Sequence, residues 1–451
     1  MDDELSLTDL AARTGEPAAE LRRWIELGLL APGDDGYTPR DIERVRLVQL
    51  LLRRGIDMEA VVNTERTAPF LDERLDMLFP HGVRARVTLE AAAEEAGLDP
   101  AMAARIWQVV NLGDENEELE RRDVAIMQGL KAMIDAGFPE NGVLQLMRVY
   151  ADAMSRVAEA GVRAFHIYVH ERLRKEGLGP NEALREAESI GGITRPGEEP
   201  TVLYFLRKAS ARARRDDMVL HVAEDAGLLP DAGVPGQVMR AVLFVDLSSY
   251  TPLAEAMGDE KTAEILDTFS AIVRVASRRH DGRIVKQIGD AFMLVFLDPG
   301  SAVAAALEIE QHTSEEAQFP ASRSGIHWGQ VLYREGDYLG SSVNLAARVG
   351  TEAERHQVVV TGAVRKEVKD MADVEFVRLG KRPLKGVPRE TELFEVRPCR
   401  ESPAAKIIDP VCGMELGTEE IAARLTLDGV ERSFCSDNCL RQFVAAPERY
   451  G

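Results

Sequence analysis

RAVLFVD at residues 240–246 and RIVKQIGDAFMLVF at residues 283–296 decide how this chain folds. The run AVLFV is β-branched and aromatic, and reads as a buried strand that delivers Asp246 at its end. RIVKQI and AFMLVF are two further strand-like runs separated only by Gly289 and Asp290, the signature of a hairpin. Two carboxylates brought together at a strand end and a hairpin turn cannot both stay ionised cheaply unless cations lie between them. Hard divalent cations such as Mg²⁺ or Mn²⁺ suit such oxygen donors.

Working outward, a helix is expected from about Leu253 to Arg278, then a turn at Asp281-Gly282. A helix from Ala302 to Thr313, a strand SRSGIHWG, a helix SSVNLAARV and a strand VVVT follow. Strands interleaved with helices and short hairpins predict an α+β sheet with helices on one face. Arg348 lies four residues after Asn344, so both project from one side of one helix. Lys286 stands four residues before Asp290, Asp337 seven before Asn344, and Lys385 sits in the loop-like PLKGV.

This set resembles the class III nucleotidyl cyclase homology domain, here over residues 236–398. The resemblance implies a ferredoxin-like core that pairs head to tail, with two Mg²⁺ or Mn²⁺ per active site held by Asp246 and Asp290. It implies that Asn344 orients the ribose, that Arg348 stabilises charge on the α-phosphate, and that Lys286, Asp337 and Lys385 bind substrate. A lysine can donate to adenine N1 while a carboxylate accepts from the exocyclic amine, a match to adenine and a mismatch to guanine. The expected substrate is therefore ATP and the expected product 3′,5′-cyclic AMP. By the same resemblance the two aspartates act from one protomer and the other five residues from its partner, so a homodimer is expected.

The chain has 451 residues, room for about three domains. Its net charge of −21 and pI near 5.0 argue against DNA or an anionic membrane as partner. MDDEL at the start is acidic, and no stretch approaches the ~18 apolar residues of a membrane span, so the expected location is cytoplasmic. All four cysteines, Cys399, Cys412, Cys435 and Cys439, lie near the C-terminus, which points to one local thiol site.

The first half is expected to be all-α and carries an internal repeat. A shift of 82 residues superposes Leu7 on Leu89, Ala11 on Ala93, Gly15 on Gly97, Arg23 on Arg105, Arg40-Asp41 on Arg122-Asp123 and Gly55 on Gly137. Ser6 with Asp9 reads as a capping box, Gly15 as a turn, and Thr38-Pro39 as the start of a longer helix. Helix, Gly turn, helix, then GLLAP and GYTPRDIERV resembles the winged helix-turn-helix of the MerR family over residues 1–79. A second copy in a helical regulatory domain, residues 80–177, keeps the helices and loses the wing chemistry, having NLGDENEELERRD instead. Its long helix, VLQLMRVYADAMSRVAEAGVRAFHIYVHERL, carries an apolar stripe at Leu144, Met147, Met154, Val157, Phe165 and Tyr168 that fits packing or dimerisation. His166 and His170 lie one turn apart on it and suit a pH response. Residues 178–235 read as a helical linker: GGITRPGEEP interrupts the pattern, a helix runs from Thr201 to about Asp225, and LLPDAGVPG leads into the catalytic strand.

DPVCGMEL and SFCSDNCLRQFVAAPERYG resemble the YHS domain, here over residues 405–451. Cys412, with Cys435 and Cys439 on one helical face, offers thiolates to Zn²⁺ or Cu⁺; Cys399, Met414, a carboxylate or water would complete the set. A buried reduced cluster and a reversible disulfide are the alternatives. The rival reading of the whole chain is a metal- or redox-responsive DNA-binding regulator whose cyclase domain is a silent nucleotide sensor.

Overall fold

The computed structural model of the chain describes residues 5–450 except 34–35, 68–69, 80–85, 111–118, 121–122, 228–233, 249, 317, 372 and 400–406. The backbone forms two compact units, Met1–Asp217 and Met218–Gly451. Among the described residues no helix is long and apolar enough to cross a membrane.

The first unit opens with α1 (Leu7–Thr14), α2 (Ala18–Glu26), α3 (Pro39–Arg53), α4 (Met58–Thr67) and α5 (Leu71–Leu78). Ser6 and Asp9 form the expected capping box, a device that contributes about 1 kcal/mol. Gly15, at φ 71°, ends α1 in the left-handed region that favours glycine. Leu10, Leu21, Trp24, Val45 and Val48 form the core of this copy.

The second copy has β1 (Arg86–Val87), α6 (Leu89–Ala96), α7 (Pro100–Val110), β2 (Leu119–Glu120) and α8 (Val124–Asp135), around Ala92, Met102, Ile106 and Met127. Gly97, at φ 69°, repeats the role of Gly15. Leu5 bridges Tyr37 in the first copy, and Val87 pairs with Leu119 in the second, at the same 82-residue offset. The wing's strand pairing is thus kept although its side-chain chemistry is lost, because the pairing is made by main-chain groups. Residues 111–118, the body of that loop, lie outside the described residues.

The long helix appears as α9 (Glu140–Phe165), a π-helical stretch His166–Glu171 and α10 (Arg172–Lys175). Leu144 and Met147 pack on the second copy's core, whereas Met154, Val157 and Tyr168 are exposed. The His166 and His170 rings stack with centroids 5.1 Å apart. GGITRPGEEP interrupts less than its glycines suggest: α11 (Pro180–Thr194) runs through Gly191 and Gly192. Only the 3₁₀ turn Arg195–Gly197, with Pro196 in it, precedes α12 (Glu198–Asp225).

The second unit is built on a sheet of order β4-β5-β3-β6-β8-β10-β9, with β7 paired to β6. In chain order its elements are β3 (Gln237–Leu247), α13 (Tyr250–Met257), α14 (Asp259–Arg279), β4 (Arg283–Ile288), β5 (Ala291–Phe296), α15 (Pro299–Glu315) and β6 (Ser322–Arg334). Then come β7 (Asp337–Leu339), α16 (Ser341–Glu352), β8 (Val358–Thr361), α17 (Gly362–Glu367), β9 (Val374–Arg382) and β10 (Thr391–Pro398). The helix expected from Leu253 to Arg278 is two helices, split at Gly258, whose φ of 81° is not helical.

Helices cover both faces of the sheet rather than one. Ala241, Leu243 and Val245 face α14 and α15, while Val242 packs with Val343 and Ala346 of α16. An uninterrupted apolar strand such as AVLFV is what two-sided burial requires. Helix α16 lies very close to β6: a Cβ on Gly325 would sit 2.0 Å from the backbone nitrogen of Gly350.

The C-terminal module comprises two small hairpins, β11 (Ile407–Ile408) with β12 (Glu415–Leu416) and β13 (Ala423–Leu427) with β14 (Val430–Phe434), and α18 (Asp437–Ala445). Its Val411, Met414, Phe434 and Phe443 belong to the same buried cluster as Leu253 and Ala256 of α13. Module and sheet therefore share one core.

Candidate active site

Central strand β3 carries Asp246 to one end of the sheet, directly opposite Arg323 on β6. Arg323 donates from Nε to Asp246 Oδ1 at 2.6 Å and from Nη2 to Oδ2 at 2.9 Å. On the other flank, Val245 pairs with Phe292, so the β4–β5 turn with Gly289 and Asp290 lies alongside. Burial pushes the Asp290 carboxyl above its ordinary range; the Asp246 charge adds to this, and the Leu247 backbone and the Arg323 charge oppose it. Burial, with the Asp290 charge, likewise raises the Tyr250 hydroxyl. Asp246, Asp290 and Arg323 thus form one half-buried cluster. Arg323 is not legible as a site residue in the sequence; its only signal is an arginine within the strand-like run SRSGIHWG.

Lys286 and Asp337 form a second group. Lys286 Nζ lies 2.5 Å from Asp337 Oδ2, and Asp337 Oδ1 accepts from the Tyr338 N–H at 2.7 Å. The β4 register shifts between Ile284 and Lys286, a bulge that re-aims the lysine. Each side chain keeps about a third of its surface exposed (36% and 34%).

Asn344 and Arg348 are exposed on α16, on the side away from buried Val343, Ala346 and Val349. Lys385 is exposed in the turn between β9 and β10, just after buried Leu384. Among the described residues no hydrogen bond or ion pair joins the aspartate cluster to the lysine–aspartate pair, to Asn344 and Arg348, or to Lys385. One copy of the chain therefore presents the groups separately.

The thiol site differs from expectation in two ways, while its fourth member is a carboxylate, one of the expected completions. Cys399 is exposed and takes no part. Cys435 precedes α18 and does not share its face; its Sγ lies 3.6 Å from Cys412 Sγ and 3.6 Å from Cys439 Sγ. The fourth member is Asp409, and the ligand atoms of Asp409, Cys412, Cys435 and Cys439 all lie within 4.8 Å of one another. Hydrogen bonds from Cys412 and Cys435 hold the Cys439 thiol far below its usual range. In return the Cys412 thiol is pushed up. Burial raises the Asp409 carboxyl.

Three family resemblances cover most of the chain: the adenylate and guanylate cyclase catalytic domain matches residues 237–397, the MerR HTH family regulatory protein residues 5–66, and the YHS domain residues 407–451. An uncharacterized protein of Mycobacterium tuberculosis (strain ATCC 25618 / H37Rv) is 30% identical over 376 residues, which span 81% of this chain and 93% of that protein. An adenylate cyclase of Glutamicibacter nicotianae is 28% identical over 295 residues, 63% of this chain and 72% of that protein. A crystal structure of an adenylyl cyclase from P. aeruginosa, 21% identical, aligns over 37% of this chain and 98% of that one with a TM-score of 0.33.

Proposed function

We propose, from the premise that this chain belongs to the adenylate and guanylate cyclase family, that it converts ATP to 3′,5′-cyclic AMP and pyrophosphate at sites shared by two copies. The observation that carries the reading is the cluster of Asp246, Asp290 and Arg323 at one end of the central strands.

The two carboxylates fit Mg²⁺ or Mn²⁺: they are hard oxygen donors, and Asp290 is raised partly because Asp246 repels its charge. Two such ions, held by Asp246 and Asp290, would make the ribose 3′-hydroxyl more acidic and neutralise the triphosphate. Arg323 neutralises Asp246 in their absence and is free to turn its guanidinium to phosphate once that carboxylate is engaged elsewhere. Arg348 would meet the charge developing on the α-phosphate, and Asn344, one turn earlier, would orient the ribose. Lys385 would add a cation on the phosphate side.

Lys286 and Asp337 would read the base, the ammonium donating to adenine N1 and the carboxylate accepting from the 6-amino group. Their mutual ion pair supports this, since it sets donor and acceptor side by side. The need for a second copy is supported by the exposure of Asn344, Arg348 and Lys385 and their separation from the aspartates. Relatives named as adenylate cyclases support ATP over GTP. Control by the N-terminal helices and the C-terminal module, and a cytoplasmic location, belong to the same proposal; the four free cysteines support the latter.

The test is to incubate the full-length protein with ATP or GTP plus Mg²⁺ or Mn²⁺ and to quantify cyclic nucleotide beside an Asp246→Ala control. Asp246-dependent cyclic AMP is expected. Faster conversion of GTP would remove the base reading, and no product under any condition would favour the silent-domain regulator.

A further inference from the structure

Asp409, Cys412, Cys435 and Cys439 place three sulfurs and one carboxylate within 4.8 Å of one another, and all but Cys435 are buried. Three thiolates and a carboxylate make a tetrahedral donor set for Zn²⁺; Cu⁺ favours sulfur alone and has less use for a carboxylate. Asp409 is held in place from several sides: Oδ1 accepts from the Val411 N–H at 2.8 Å and the Cys412 N–H at 3.4 Å, and Oδ2 from the Cys435 N–H at 2.7 Å. Supporting bonds of this kind orient a ligand before the ion arrives. A buried carboxylate among thiols is costly unless a cation joins them.

Two of the clasps between the module and the catalytic sheet are made by residues next to a ligand in sequence. Asn438, next to Cys439, donates from Nδ2 to the Ala256 carbonyl of α13 at 3.0 Å, and Arg449 pairs with Glu255 on the same helix. Gly413, next to Cys412, accepts from Arg355 Nη2 at 2.7 Å. Glu415 lies 2.6 Å from His356 Nε2, whose Nδ1 lies 3.2 Å from Glu310.

The far side of each clasp leads to the aspartate cluster. Helix α13 begins at Tyr250, four residues after Asp246. The His356 N–H donates to the Ser322 carbonyl at 2.8 Å, and the next residue is Arg323. A cleft of about 270 Å³ lined by Glu255, Arg355, Asp409 and Gly413 leaves the junction room to tighten.

We propose that Zn²⁺ bound by Asp409, Cys412, Cys435 and Cys439 tightens the module onto α13 and onto the start of β6, and so sets how firmly Asp246 and Arg323 are held. The catalytic consequence rests on the cyclase reading; the binding and the tightening do not.

The test uses the full-length protein, stripped of metal under reducing conditions. Co²⁺ should bind at one equivalent per chain with a thiolate charge-transfer band that Zn²⁺ displaces, and Cys439→Ser should lose the band. Zn²⁺ should slow hydrogen exchange at residues 250–257 and 322–324 about tenfold in the wild type and leave it unchanged in Cys439→Ser. An Arg355→Ala/Asn438→Ala variant should keep the band and lose the slowing. With Mg²⁺ saturating, Zn²⁺ should change turnover in the wild type and have no such effect in that variant.

Absence of a thiolate band, or a band without slowed exchange, overturns the proposal. So does an equal response of turnover to Zn²⁺ in Cys439→Ser, which would put the ion at the aspartates. If the protein makes no cyclic nucleotide at all, the spectrum and the exchange rates still decide.

Discussion

Arg323 grips both carboxylate oxygens of Asp246 from the directly opposing position on the neighbouring strand. A fork-to-fork pair of this kind is among the stronger side-chain contacts, and it occupies the ligand atoms that a metal would need. Arg323→Ala should therefore lower the Mn²⁺ concentration for half-maximal binding, while turnover falls ~10²-fold through loss of a phosphate-facing cation. Mn²⁺ binding followed by electron paramagnetic resonance, beside steady-state kinetics, checks both. An unchanged binding midpoint would mean that the pair does not compete with metal.

Asp246→Ala and Arg348→Ala should each lose ~10²- to 10³-fold in rate. Arg348→Ala should melt close to the wild type because its side chain is exposed, and Asp246→Ala should melt somewhat lower because Arg323 loses its partner. If the site is shared across two copies, mixing the two inactive variants should restore roughly a quarter of the wild-type activity, because half of the dimers then hold one intact site. No restoration after subunit exchange would place all the groups in one copy.

In the proposed reading the Lys286–Asp337 pair sets the base preference. Lys286→Glu with Asp337→Cys should lower kcat/KM for ATP by ~10²-fold and narrow or reverse the ATP-to-GTP ratio, because a mismatched buried donor or acceptor is left without a partner. A ratio unchanged in the double variant would show that other residues choose the base.

The clasp at His356 should respond to pH. Burial lowers its affinity for a proton, but Glu310 and Glu415 outweigh burial and push the imidazole up to about 9; Arg355 also borders Glu415. With the folded value above the unfolded 6.5, the contribution is fully present below pH 6.5 and is lost as pH rises through about 9. Glu415 is shifted the other way by His356 and Arg355 against burial, so its share is lost on acidification below the ordinary glutamate range. Raising pH from 7 to 10 should cost about 1 to 2 kcal/mol once solvent screening of the partly exposed imidazole is allowed for, and should lower amide protection around Glu415 relative to the intrinsic exchange rate. His356→Gln should abolish that dependence.

Gly325→Ala should be among the most damaging single changes, because the new Cβ would lie 2.0 Å from the Gly350 nitrogen and force α16 off the sheet. A loss of about 3 kcal/mol or more is expected, read from the melting temperature. Activity should fall further than stability alone explains, since α16 carries Asn344 and Arg348.

Much of this was readable beforehand where local chemistry decides. AVLFV, the Gly289-Asp290 hairpin, the Ser6 cap and the Gly15 turn depend on nearby residues and appear as expected. Arg323 and Asp409 did not show themselves, because their roles exist only across strands or across 26 residues of chain, as between Asp409 and Cys435. Cys399 looked eligible for the thiol site by composition and is excluded by where β10 ends. The placement of α16 on the opposite face of the sheet is latent in the apolar run of β3, since a strand without alternation is covered on both sides.

The bridges Leu5–Tyr37 and Val87–Leu119 occupy the same place in two loops of unlike chemistry. The first copy carries GLLAP and GYTP there and the second the acidic NLGDENEELERRD, yet the contact at the base of the loop is the same. A contact made by peptide groups alone tolerates such an exchange, so each loop is free to change its charge without loosening the helices it joins.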